Sequence, residues 1–259
     1  MNILVIVRQV PDVVEELEVA ADGKSLDSEF LRMIISESDD HALEEALLLK
    51  ERHGGKVTVL APDAPDIDDA LYSALAKGAD RVVKVEGIEG RRSTRHVAAQ
   101  LAQVIASQGD SLAADLVLTG VQAIEDLDGL MAPLLAHHLN LPHLAIVTKV
   151  TVDEAARKVS ALREFAGGVR CEFELPLPAV LGIQAAEKPP RYVPVAKVRA
   201  AMKSQRIDTL AAGGVSEPLL MEILALKKPE AAGHAEMLAG SPEEAASRLV
   251  GILSERGVI

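Results

Sequence analysis

Through its first 150 residues the sequence alternates between two patterns, and that rhythm constrains the fold more than any other feature. One pattern is the short, nearly unbroken apolar run: Ile3 to Val7, Lys56 to Leu60, Arg81 to Val85, Leu116 to Leu118 with its end at Gly120, and Leu144 to Val152. The other places apolar residues at three- and four-residue spacing, as in Ala42, Leu43, Ala46, Leu47 and Leu49. The first reads as buried strand and the second as helix. Helices are expected from Asp39 to the stop at Gly54-Gly55, from Asp63 to Ala76, from Ser93 to Ser107, and over 129–139 before Pro142. Asp63 or Asp66 can cap the second helix and Ser93 the third, because their side-chain oxygens suit unpaired first-turn N–H groups. Helical crossovers between strands demand parallel pairing, and strands covered on both faces need no polar alternation. The expectation is an α/β fold: a doubly wound, mostly parallel sheet with helices on both faces.

The rhythm then changes. Lys158 to Phe165 and Val169 to Leu175, split by Ala166-Gly167-Gly168, predict a β-hairpin. Ala179 to Ile183 is one more apolar strand, and the proline-rich stretch 187–194 an extended surface loop. Ala196 to Ser204 reads as a short basic helix. Residues 205–240 carry too little apolar periodicity for a core of their own and read as an arm lying on something else. The arm ends in a helix from Pro242 to Arg256, announced by Ser241, Pro242 and Glu244 as a capping box with proline at the first position. Residues 13–35 read as a loop with a short hairpin.

Charge and composition narrow the function. Lys and Arg number 27 against 39 Asp and Glu, a net charge of −12, which argues against nucleic acid and anionic membranes as partners. Aromatics are 2% with no Trp, leaving little to stack on bases. A single cysteine, Cys171, excludes an internal disulfide framework and reads as a small packing residue in a hairpin strand. The opening apolar run lacks the marks of a signal peptide, and no stretch is long enough to insert in a membrane. The chain reads as cytoplasmic. Its seven histidines are scattered. His137 and His138, adjacent on a helix, are expected to point to different faces, and no metal site is expected.

The sequence has no P-loop, no G-x-G-x-x-G after the first strand and no G-x-S-x-G elbow. What remains is loop chemistry at the carboxyl ends of the strands, where an open parallel sheet binds ligands. Three stretches end there: Arg8 to Asp12, Ala61 to Pro65, and Gly120 to Pro133, which begins GVQAIEDLDGLM. Gly120 and Gly129 permit close backbone approach, and a helix starting near Gly129 offers N–H groups to an anion. Two readings stand: a nucleotide-binding rim, or a turn with Asp128 as the helix cap.

A family resemblance bears on this choice. The segments VRQVPD, SESDDHALEEALLLKE, ALAKGADRVVKV, LVLTGVQAIEDLDG, ELPLPAVLGIQ, EKPPRYVPVAKVRAAMK and SPEEAASRLVGILSERGVI occur in the order and spacing of the beta (small) subunits of electron transfer flavoproteins, which the chain resembles nearly end to end. The resemblance implies an electron carrier rather than an enzyme. It implies a heterodimer with an alpha subunit that holds most of the FAD, and an AMP bound structurally in beta. The pair would carry electrons from dehydrogenases to a quinone oxidoreductase or other acceptor. The family's AMP pocket maps onto Ile6, then Ser36, Glu37, Ser38 and Asp39, then Pro62. It ends on the loop of Gly120, Val121, Gln122, Ala123, Ile124, Glu125, Asp126, Leu127, Asp128, Gly129, Leu130 and Met131. The polar residues usual at the phosphate end are replaced by Asp128, Gly129, Leu130 and Met131, so backbone N–H groups must serve there. The family's partner-recognition loop maps onto Pro190 to Lys203, with Val195 as its apolar anchor. Arg191, Lys197, Arg199 and Lys203 would steer an acidic dehydrogenase, unless they are an ordinary solvated face. On this reading residues 1–190 are the nucleotide-binding α/β domain. Residues 191–259 are recognition loop and arm, not an independent domain. The alternatives are a bifurcating beta subunit with its own FAD, or a stand-alone adenine-nucleotide-binding protein.

Overall fold

In the computed structural model the first strand, β1 (Asn2–Ile6), lies in the middle of a nine-stranded sheet. The structure describes the whole chain except residues 30, 89–92, 125, 127, 215–221, 230–234 and 236. On one side of β1 stand β4 (Lys56–Pro62), β5 (Arg81–Glu86) and, at the edge, β11 (Asp208–Ala211). On the other stand β6 (Leu116–Gly120), β10 (Ala179–Ile183), β7 (His143–Asp153), β8 (Lys158–Glu164) and β9 (Arg170–Pro176). All pairings from β11 through to β7 are parallel, and β7, β8 and β9 continue as an antiparallel meander. A separate two-stranded ladder joins β2 (Gln9–Pro11) to β3 (Met33–Ile35) and brings the chain back to the sheet.

The alternation of β1 side chains divides the core. Ile3 and Val5, with Val7 just past the strand, pack under α1 (Glu37–His53) and α2 (Ile67–Lys77), with Ala201 of α5 (Val195–Ser204) joining this layer. Leu4 and Ile6 pack under α3 (Thr94–Ser107) and α4 (Met131–Leu139). Helices therefore cover both faces, and the doubly wound reading stands. Gly182 on β10 lets α4 close down, since a Cβ there would sit 3.1 Å from that of Ala132.

Several local expectations stand and several need correction. Ser93 accepts a hydrogen bond from the His96 amide, and Ser241 and Glu244 form the capping box of α6 (Pro242–Glu255). The hairpin at 166–168 is present. Asp66 does precede α2, but its backbone is left-handed and its side chain makes no cap bond, while Asp63 faces Lys84. His137 and His138 do not point apart: both are exposed on the last turn of α4, their rings 5.5 Å from each other, because that turn runs into solvent. Cys171 is half-buried on β9. The arm joins the body in two places that periodicity did not reveal: β11 extends the sheet beside β5, and the described residues near 226 lie on the loop at 16–24. There Leu226 donates to the Gly23 carbonyl and Lys228 pairs with Glu16 and Glu18.

Candidate functional site

The strand order reverses between β1 and β6: the chain leaves β1 toward β4 on one side and reaches β6 on the other. Loops leaving the carboxyl ends of two such strands diverge and open a crevice. Ile6, Arg8, Gly120 and the loop that follows Gly120 meet at this point, and the N-terminus of α1 abuts it through Ser36, Ser38 and Asp39.

Asp39 is the knot. It is fully buried in the first turn of α1, where one carboxylate oxygen accepts the Gly120 amide at 2.8 Å. The other accepts the Arg8 amide at 2.9 Å and Arg8 Nε at 3.4 Å. One side chain thus ties the ends of β1 and β6 to α1. Only glycine fits at 120: a Cβ would lie 2.7 Å from the Asp39 amide and collide with Ser38 Oγ and Asp39 Oδ1. The Ser38 hydroxyl donates to the Gln122 carbonyl at 2.6 Å and holds the loop two residues beyond Gly120.

Arg8 carries the tie into the loop. Its Nη1 donates to Asp126 Oδ2 at 2.7 Å, and Asp126 Oδ1 accepts the Gly129 amide at 2.6 Å. Asp126 therefore braces the loop from inside, helped by Gln122 Nε2 on its carbonyl. Gly129 is left-handed, which lets the chain turn into α4. Arg8 is only 8% exposed, yet among the described residues its Nη2 is buried without a partner, a donor awaiting an acceptor.

The carboxyls here differ by environment. Burial pushes Asp39 up, against the pull of Arg8 and the two backbone donors. Burial also opposes charge on Asp126, but hydrogen bonds led by Arg8 outweigh it and hold that carboxyl below the usual range. Asp128 is pushed up by burial and by Asp126. Burial disfavours the charge on Arg8, but Asp39 and Asp126 more than offset it.

Of the sequence-expected nucleotide residues, Ile6 is fully buried beneath the rim, Ser36 and Ala123 are buried, and Met131 is buried at the start of α4. Val121 and Pro62 are half-buried, and Glu37, Gln122, Ile124, Asp128 and Leu130 are exposed. Glu125 and Leu127 lie outside the described residues. Asp128 is not the cap of α4: that position falls to Leu130, with no side-chain bond, and Asp128 accepts the Leu130 amide at 3.2 Å. The loop spends two residues turning through Gly129 before the helix begins. The first turn of α4 thus keeps N–H groups without a side-chain cap.

Arg8 and Asp126 are the residues whose roles sequence reasoning missed. Arg8 stood in a strand-end stretch and Asp126 in the loop, but nothing in their spacing, 118 residues apart, announced a pair.

Helix α1 also braces the segment Pro190 to Lys203. Arg191 faces inward: its guanidinium pairs with Glu44 at 2.8 Å and Glu51 at 2.8 Å. Tyr192 and Val195 project outward, and Lys197, Arg199 and Lys203 line exposed positions of α5. Among the described residues no group of His, Cys, Asp and Glu could hold a metal ion.

The sequence profile of the electron transfer flavoprotein domain matches residues 28–214. An electron transfer flavoprotein subunit beta from Methylophilus methylotrophus is 33% identical over 265 residues, spanning 98% of each chain. One from Clostridium acetobutylicum is 31% identical over the full length of both. The FixA protein of Azorhizobium caulinodans is 35% identical over 173 residues, 66% of this chain and 61% of its own.

Proposed function

The chain belongs to the electron transfer flavoprotein family, as a relative of its beta subunits with a role in electron transfer, and from that premise we propose that it is one half of a heterodimer whose alpha subunit holds most of the redox FAD. It carries electrons from dehydrogenases to a quinone oxidoreductase or another acceptor and makes no covalent bond itself. The observation that carries the heterodimer is α6. None of its 14 residues is buried, while Leu249 and Val250 stand about half exposed and Val258 and Ile259 more so just beyond. A helix of that length is marginal alone in water and gains its stability by covering its apolar face. An alpha subunit is the cover we assign to it.

AMP is the structural ligand we assign to the rim between β1 and β6. The residues present fit a monophosphate. The orphaned Arg8 Nη2 and the uncapped first turn of α4 supply donors. Backbone from Gly120 to Met131 and the edge formed by Ile6, Ser36, Glu37, Ser38, Asp39 and Pro62 supply the nucleoside contacts. A diphosphate such as that of FAD fits worse, because Asp126 already takes the Gly129 amide and Arg8 Nη1. AMP supplies no redox chemistry and acts as a structural filler. The exposed loop around Val195, with Lys197 and Arg199 beside it, is the surface we assign to dehydrogenase docking. No helix among the described residues is long and apolar enough to cross a membrane. With its lone cysteine Cys171, the chain suits the reducing cytoplasm.

The test is co-expression with an electron transfer flavoprotein alpha subunit, followed by denaturation and identification of the released small molecules. We expect one FAD and one AMP per heterodimer, and no flavin on the chain expressed alone. A flavin-loaded single chain would overturn the heterodimer. Two FAD per heterodimer would favour a bifurcating subunit, and ATP hydrolysis by the lone chain a stand-alone nucleotide protein.

A further inference from the structure

We propose that Glu44, backed by Glu45 and His41 of the same helix, is the positioning residue of the docking loop: it fixes where Tyr192 and Val195 stand relative to the strand-end rim. The inference rests on the reading of Pro190 to Lys203 as a docking surface and names what holds that surface in place. Two glutamates inside an apolar helix face need a reason, because buried carboxylates are costly unless partnered. Glu44 is 3% exposed and Glu45 1%, between the core residues Leu43 and Ala46.

Among the described residues their hydrogen-bond partners all come from one loop, with Glu45 Oε1 left buried without one. Glu44 Oε1 accepts Arg191 Nη2 at 2.8 Å, and Oε2 accepts Arg191 Nε at 2.9 Å and the Arg191 amide at 3.0 Å. This forked pairing fixes orientation as well as distance. Glu51 takes the remaining side of the same guanidinium through Nη1 at 2.8 Å. Glu45 Oε2 accepts the Glu187 amide at 3.0 Å, and His41 Nδ1 accepts the Ala186 amide at 3.2 Å. Arg52 pairs with the Glu187 side chain. The backbone at 186, 187 and 191 is thus laced to α1 at three points. Immediately afterwards the chain turns outward, with Tyr192 84% and Val195 60% exposed. The same helix holds the rim through Asp39, so rim and docking loop share one rigid element.

The buried groups fit this role. Burial opposes charge on Glu44, but Arg191 wins and holds the carboxyl below its usual range, whereas burial pushes Glu45 up. An arginine fork cannot be replaced by a lysine point charge without loss of geometry.

Hydrogen exchange read by mass spectrometry on the heterodimer tests the proposal, with Glu44→Gln and Arg191→Lys as variants. Amides of 186–191 should exchange at least about tenfold faster in Glu44→Gln and to a lesser degree in Arg191→Lys. The amides of Arg8 and Gly120, held by Asp39, should not change. Titration with the protein electron donor that reduces the wild-type complex should show about a tenfold rise in half-saturating concentration at unchanged maximal rate. Reduction by dithionite should be unaffected. Unchanged exchange at 186–191, or a uniform rise along the chain, overturns the strap. A local rise in exchange with unchanged donor half-saturation removes the docking role from this segment and the proposal with it, while leaving the heterodimer reading intact.

Discussion

Helix α1 buries nine of its 17 residues and α6 none of its 14, yet α6 carries the stronger local signals. A capping box and a proline open α6, whereas Ser36 at the start of α1 makes no side-chain cap bond. Local signal and tertiary role run in opposite directions. Helix α1 is held by the sheet beneath it and can devote its polar residues to other work: Asp39 to the rim, Glu44 and Glu45 to the loop. Helix α6 buries none of its residues against the described part of the chain and depends on its own caps, which is why we assign a partner chain to cover it. A helix that borrows stability from its neighbours is free to host function on its first turns and flanks.

The most damaging way to break the contrast is at Asp39. Asp39→Ala removes three acceptor contacts and leaves Arg8 buried with Asp126 alone. We expect a loss of about 3–5 kcal/mol in urea unfolding, with any rim ligand lost. Leu43→Ala, under the sheet on the same helix, should lose about 2–5 kcal/mol by the same measurement. Leu249→Asp, on the exposed face of α6, should leave the unfolding of the free chain within about 0.5 kcal/mol. It should still weaken alpha-subunit binding at least about tenfold by calorimetry; equal binding would return α6 to an ordinary solvated helix.

The pH dependence sharpens the α1 side. The Glu44 carboxyl is lowered in the fold, so its pairing with Arg191 contributes fully above the ordinary glutamate range and is lost as pH falls through the lowered value. Protection of the 186–191 amides that depends on Glu44 should therefore persist through mild acid and disappear only below the ordinary glutamate range, and Glu44→Gln should flatten that limb. At the rim, Asp128→Asn removes a negative charge beside the proposed phosphate. We expect AMP to bind about fivefold tighter, on the order of 1 kcal/mol for a partly screened charge. The smallest effect is Ser241→Ala, about 1 kcal/mol of local helix stability, seen as faster exchange in the first turn of α6 with no change at α1.

How far the sequence could be read depended on where each residue's partners lie. The strands of the first 150 residues were legible because burial on both faces writes itself as an unbroken apolar run. The rim was legible in outline, since Gly120 ends a strand and Gly129 opens a turn. Its wiring was not: Arg8, Asp39 and Asp126 come from three separate stretches, and no local pattern pairs them. The acids Glu44 and Glu45 did leave a trace, two charges in an otherwise apolar helix face, but their partner lies about 140 residues away. Likewise β11 is short and weakly apolar, and only the open edge of β5 made it a strand.

What the sequence by itself determined was the list of elements: alternating strands and helices, the hairpin, and a self-capped final helix. These follow from periodicity and from contacts within a few residues. Tertiary structure alone decided which strands became neighbours, that β10 slips between β6 and β7, and that one buried carboxylate joins β1, β6 and α1. The physical reason is range. Propensity and capping act over one turn, whereas an ion pair in a crevice exists only once the sheet has brought its two halves together.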